Sequence, residues 1–118
     1  MKRIWLAFFN SLRGLSWGAR NEAAVREELI LLSGAIPLAV WLSSGVLMFV
    51  ALVGAVLLLL AVELLNTAIE KLADHITPER HAQIGVVKDL GSAAVFMMLV
   101  LNLMLWGTAV WIKLGGGT

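Results

Sequence analysis

From residue 29 to residue 62, 34 consecutive positions carry no Asp, Glu, Lys or Arg, and from 90 to 112 another 23 carry none. A run of 34 is too long for one membrane span of about 20 residues and suits two short ones. Ser43, Ser44 and Gly45 interrupt it, so the pattern predicts a first membrane helix over about 28–42 and a second from Val46. The second continues past Glu63 to about residue 74, ahead of Thr77 and Pro78, because proline cannot continue a helix. At 1.5 Å per residue this helix is about 43 Å long against a hydrocarbon core of about 30 Å, so its polar end should project from the bilayer. A third membrane helix is expected over about 86–112, with a flexible tail at Gly115, Gly116 and Gly117, and Pro37 is expected to kink the first. Near the amino terminus Trp5, Phe8, Phe9 and Leu12 recur at i, i+3, i+4 and i+7, which predicts an amphipathic surface helix over 1–20. A signal peptide is disfavoured, since the apolar stretch is short and no A-x-A-like site follows. The expectation is one all-α integral membrane domain, residues 1–118, with three transmembrane helices and a surface helix.

Composition strengthens that picture. Charged residues make up 14% of the 118 positions and hydrophobic residues 60%, where a soluble domain carries about 25% charge. So few charges cannot cover the surface of a small soluble fold. A net charge of +1 gives no footprint for nucleic acid, and the absence of cysteine excludes disulfides and thiolate metal sites. Lys2, Arg3, Arg13, Arg20, Arg26, Lys71, Arg80 and Lys88 flank the spans on one side and only Lys113 on the other, so the amino terminus is expected in the cytoplasm and the carboxyl terminus outside. Trp41, Trp106 and Trp111 group at the outer ends, and Trp5 and Trp17 at the inner side.

The acids carry the chemistry. Glu63, Asn66, Thr67, Glu70 and Asp74 fall on a stripe about 100° wide when wound at helical pitch, with Leu64, Leu65, Ile69 and Leu72 around the rest. An acid at membrane depth costs on the order of 2.5–3.5 kcal/mol, so Glu63 at the end of a long apolar run points to function. Asp74 is equally well explained as a solvated face. A second polar group, Asn21, Glu22, Arg26, Glu27 and Glu28, precedes the first span; taken alone, Glu22 and Arg26 read best as a surface ion pair. A third, Lys88, Asp89 and Ser92, opens the third helix, where a lysine opposes the helix dipole unless an anion such as phosphate arrives. Carboxylates, an amide and a lysine at one depth suit magnesium binding completed by substrate phosphates, and hence phosphoryl transfer. No phosphate-binding glycine loop or protein-kinase signature is present.

Asn21-Glu22-Ala23-Ala24 with Arg26 and Glu28, then Glu63-Leu64-Leu65-Asn66-Thr67-Ala68-Ile69-Glu70, then Lys88-Asp89-Leu90-Gly91-Ser92-Ala93-Ala94-Val95 closely resemble the prokaryotic diacylglycerol kinase family. The resemblance implies a homotrimer in the bacterial inner membrane with its sites between subunits at the cytoplasmic face. Its members transfer the γ-phosphate of ATP, with Mg2+, to the hydroxyl of 1,2-diacylglycerol. It implies Glu63 as general base with Asn66 as the active-site amide, and Glu22 and Glu70 as metal carboxylates. Arg3, Asn10, Glu22, Glu70, Glu79, Arg80, His81, Lys88 and Asp89 correspond to nucleotide contacts, and Glu63, Ser92, Trp41, Glu27 and Glu28 to the lipid side. Asn10 replaces an aromatic nucleotide contact, and Glu27 a glutamine. A trimer has a physical logic here, since three thin helices are not expected to enclose the polar stripe alone.

Three other readings compete. An undecaprenol kinase shares the core motif and differs in its lipid. A proton-coupled transporter would place a single acid near mid-bilayer, whereas here several gather at one edge. A membrane scaffold would account for Gly34 and Gly54 as packing faces and leave Glu63 unexplained.

Overall fold

The computed structural model describes residues 1–77 and 82–117, and among them every regular element is a helix. Four follow in order: α1 (Lys2–Asn21), α2 (Ala23–Leu42), α3 (Val46–Ile76) and α4 (Ala82–Lys113). The break between α1 and α2 is the single residue Glu22, whose extended backbone (φ −124°, ψ 117°) ends one helix and caps the next. Ser43 to Gly45 separate α2 from α3 as the sequence predicts, and α2 runs without interruption through Pro37. Among the described residues two helices, α3 and α4, are long and apolar enough to cross a membrane. The first turns of α2 carry Arg26, Glu27 and Glu28, which dilute an otherwise apolar helix.

Two helices begin earlier than the hydropathy pattern places them. α2 starts five residues before Glu28, and α4 starts at Ala82 rather than near Val86. Hydropathy marks where the apolar run begins, whereas backbone hydrogen bonding continues into the polar flank. Lys88 therefore lies in the second turn of α4, beyond the first turn in which the helix dipole acts strongly, and the dipole argument for phosphate at Lys88 lapses.

α3 is the central element, packed against both α2 and α4. Ala39, Leu42, Leu52 and Ala109 form a buried cluster at one end, enclosed by Met48, Phe49, Val53, Leu105 and Trp106. At the same end Lys113 sits 4.7 Å above the Trp41 ring and donates to the Trp41 carbonyl at 3.2 Å. Midway along α4, Asn102 donates through Nδ2 to the Ala55 carbonyl of α3 and to its own Met98 carbonyl, both at 2.9 Å. α1 lies apart and touches the bundle chiefly through α2. Its one buried residue is Gly18, where a Cβ would stand 3.0 Å from Val25 of α2. Arg26 fastens the same corner by donating to the Ala19 carbonyl at 3.0 Å. Most of the rest of α1 is exposed, with Trp5 stacked on Phe9 and Phe8 meeting both rings edge-on along its apolar face.

Candidate functional site

The polar stripe of α3 turns inward at its start. Glu63, Asn66 and Thr67 are buried, at 7–8% exposure, among residues that are otherwise apolar. Thr67 donates from Oγ1 to Glu63 Oε2 at 3.2 Å, which fixes one carboxylate oxygen one turn along the same helix. Further along, Glu70 is half-buried and Asp74 exposed. One chain thus covers the first three residues of the stripe, more than the sequence led us to expect, and leaves the last two open.

Two neighbours complete the buried part. Glu28, on the second turn of α2, acts electrostatically on Glu63, and its Oε1 is buried without a hydrogen-bond partner. Gly91 of α4 faces Asn66 so closely that a Cβ there would overlap Asn66 Oδ1, itself a buried acceptor without a partner. In the sequence Gly91 stands within the Lys88 to Val95 motif with no task of its own. The task is the close approach of α4 to the Asn66 amide, which only a residue lacking a side chain permits. Glu28 Oε1 and Asn66 Oδ1 are thus two buried acceptors that a hydroxyl or another hydrogen-bond donor would satisfy.

The open part of the stripe is organised by ion pairs. Lys71 Nζ lies 2.9 Å from Glu22 Oε1 and 5.6 Å from the centroid of the Trp17 ring. Lys71 stands about 37 Å of helix beyond Val46, past the reach of a hydrocarbon core. Its hydrogen bond to Glu22 holds its ammonium proton above the usual lysine range. Lys88 of α4 reaches Asp74 at 2.6 Å. Glu22 and Glu70 both act on the charge of Glu63, so the two expected metal carboxylates and the expected base share one neighbourhood. Among the described residues no three His, Cys, Asp or Glu side chains gather into a metal cage. Two carboxylates of hard oxygen character do fit a magnesium ion whose remaining ligands are water and phosphate.

The remaining predicted residues divide. Glu27, Asp89 and Ser92 flank the same end of the helices and are exposed. Arg3 and Asn10 sit on the exposed α1, where Asn10 Oδ1 accepts from Arg13 rather than from the stripe. Trp41 lies at the opposite end of α2, about 20 Å of helix from Glu28, and is not gathered with the others. Glu79, Arg80 and His81 fall outside the described residues. Lys71 leaves only a faint signal in the sequence, since a lysine one residue after Glu70 looks like a solvated charge.

A pocket of about 430 Å3 opens between α1 and α3, lined by Gly14, Trp17, Gly18, Leu64, Thr67 and Lys71. A larger apolar groove of about 660 Å3 runs among α2, α3 and α4; Leu31 and Leu59 line it one turn from Glu28 and Glu63, and Leu38 and Trp106 line it further out.

An all-helical chain with apolar helices of membrane length and a buried carboxylate stripe, ion-paired where it emerges, defines a helical bacterial membrane protein with a polar site at one end of the bundle. The sequence places it more narrowly. Residues 9–110 match the prokaryotic diacylglycerol kinase family, and the chain belongs to that family. It is 41% identical to the diacylglycerol kinase of Haemophilus influenzae over 97 residues, covering 82% of each chain. It is 37% identical to that of Escherichia coli K12 over 113 residues, 96% of this chain and 93% of the relative. Identity to the Pseudomonas aeruginosa diacylglycerol kinase is 39% over 108 residues, 92% of this chain and 88% of the relative.

Proposed function

We propose that the chain is a diacylglycerol kinase that transfers the γ-phosphate of ATP to the free hydroxyl of 1,2-diacylglycerol, giving phosphatidic acid. The observation that carries the reading is the buried Glu63, held by Thr67 and flanked by the donor-free acceptors Glu28 Oε1 and Asn66 Oδ1. A lipid hydroxyl brings the donor this pocket lacks. The apolar groove that starts one turn from Glu28 and Glu63 suits the acyl chains. Glu63 takes the hydroxyl proton as the oxygen attacks the γ-phosphorus, the bond to the β-phosphate oxygen breaks, and ADP leaves. Asn66 orients the hydroxyl, and Lys88, released from Asp74, faces the phosphates together with Asp89 and Arg3. Glu22 and Glu70 would hold Mg2+, which would supply neutralisation of phosphate charge.

In the same reading α2, α3 and α4 each cross the bacterial inner membrane, with the amino terminus in the cytoplasm, α1 on the inner surface and the carboxyl terminus outside. The chain assembles as a homotrimer, and a second copy covers the open part of the stripe at Glu70 and Asp74. Purified protein in lipid given labelled ATP and a panel of diacylglycerol and undecaprenol tests the reading. Labelled phosphatidic acid is the expected product. Turnover of undecaprenol alone would reassign the lipid, and no turnover of any lipid alcohol would remove the kinase reading.

A further inference from the structure

Lys71 is used neither by the proton transfer assigned to Glu63 nor by the phosphate contacts assigned to Lys88, yet three elements converge on it. Trp17 comes from the last turns of α1, Glu22 is the break between α1 and α2, and Lys71 itself rides on α3. The fields of Glu22, Asp74 and Glu70 all act on its ammonium. That ammonium stands close to the carboxylates while remaining open to water, with the Trp17 ring 5.6 Å away on one side.

A carboxylate oxygen bonded to an ammonium at 2.9 Å cannot take a divalent cation from the same direction. Ammonium and metal would stand a few ångströms apart as like charges, a repulsion that disfavours holding both at once. The Lys71 side chain is 55% exposed against 25% for Glu22. It can swing into water at little cost, whereas Glu22 is fixed by its place between two helices. When the two cations compete, the lysine is the one that leaves.

We infer that Lys71 is the resident counter-ion of Glu22: it holds the carboxylate and ties α1 to α3 in the metal-free protein, and a divalent cation binding at Glu22 displaces it. The inference rests on the reading of Glu22 as a metal ligand. Lys71 then sets the metal affinity of the site, and metal loading frees the last turns of α1, because Trp17 loses its cation.

Mn2+ binding to the full-length protein in lipid nanodiscs without nucleotide, followed by the paramagnetic resonance of free Mn2+, tests this. Lys71→Met should bind Mn2+ about two- to five-fold more tightly than the unaltered protein, the range an exposed ion pair is worth. Lys71→Arg, which keeps the charge, should bind no more tightly. Mg2+ should shift the tryptophan emission of the unaltered protein, and the shift should vanish in Trp17→Phe and in Lys71→Met. Glu22→Gln separates the two claims. If it abolishes Mn2+ binding while Lys71→Met binds no more tightly than the unaltered protein, the counter-ion role is overturned and the metal reading stands. If Glu22→Gln binds Mn2+ undiminished, both fall.

Discussion

At the end of the bundle where α2 turns into α3, Leu52 and Ala109 are 1% exposed and Ala39 fully buried, in a cluster of apolar side chains. At the other end Glu63, Asn66 and Thr67 are nearly as well covered; Thr67 donates to Glu63, and Asn66 Oδ1 is buried without a partner. Both ends are packed to a similar degree, and both leave buried polar atoms without a partner: the Trp106 indole N–H and the Ser43 hydroxyl at the first, Glu28 Oε1 and Asn66 Oδ1 at the second. They differ in what is buried. The core of the first end is apolar, whereas the second buries an ionisable carboxylate at Glu63, the costlier group to keep in a membrane and the one that points to function.

Four substitutions press on that difference. Glu63→Gln keeps the shape of the carboxylate end and removes its base. Turnover in a labelled-ATP assay should fall by about a hundred- to ten-thousand-fold, while helical circular dichroism stays unchanged; activity within a few-fold of normal would remove Glu63 as base. Gly91→Ala drives a methyl group into Asn66 Oδ1. Displacing the amide should lower kcat on the order of ten- to a hundred-fold, with a much smaller change in thermal unfolding, which scanning calorimetry can separate. Leu52→Ala strikes the apolar end instead. It should cost on the order of 1–2 kcal/mol, less than in a soluble core because lipid also solvates methylene groups, and leave KM for ATP untouched. Asn102→Ala removes the bond to the Ala55 carbonyl midway between the ends. About 0.6 kcal/mol of stability should be lost, typical of a hydrogen bond between membrane helices, with turnover unaffected. If Leu52→Ala reduced turnover as strongly as Gly91→Ala, the two ends would not be independent.

Helix positions were legible in the sequence because charge-free runs and the Ser43 to Gly45 break leave an unambiguous trace. The starts of α2 and α4 were not, because polar residues continue a helix without announcing it. Within the site, the stripe on α3 was readable from its own periodicity. What periodicity cannot show is which residue of another helix meets it. Gly91 against Asn66, and Lys71 against Glu22, depend on how three helices are set against one another, and a glycine or a lysine leaves no pattern that reports such a meeting. Asn102 stands alone as the one amide in a charge-free run, a signal that was present and not used.

Glu22 is also the point where the chain changes direction. α1 is a rigid arm about 30 Å long, and the single extended residue at its foot is its pivot. The pivot is the part of a lever that travels least. In the proposed reading α1 lies on the inner membrane surface and Glu22 holds the metal, so any rise and fall of the arm with the headgroups would carry Trp5 at its tip furthest and the Glu22 carboxylate least. A ligand seated at the fulcrum would let the surface helix follow a moving membrane without dragging the chemistry along.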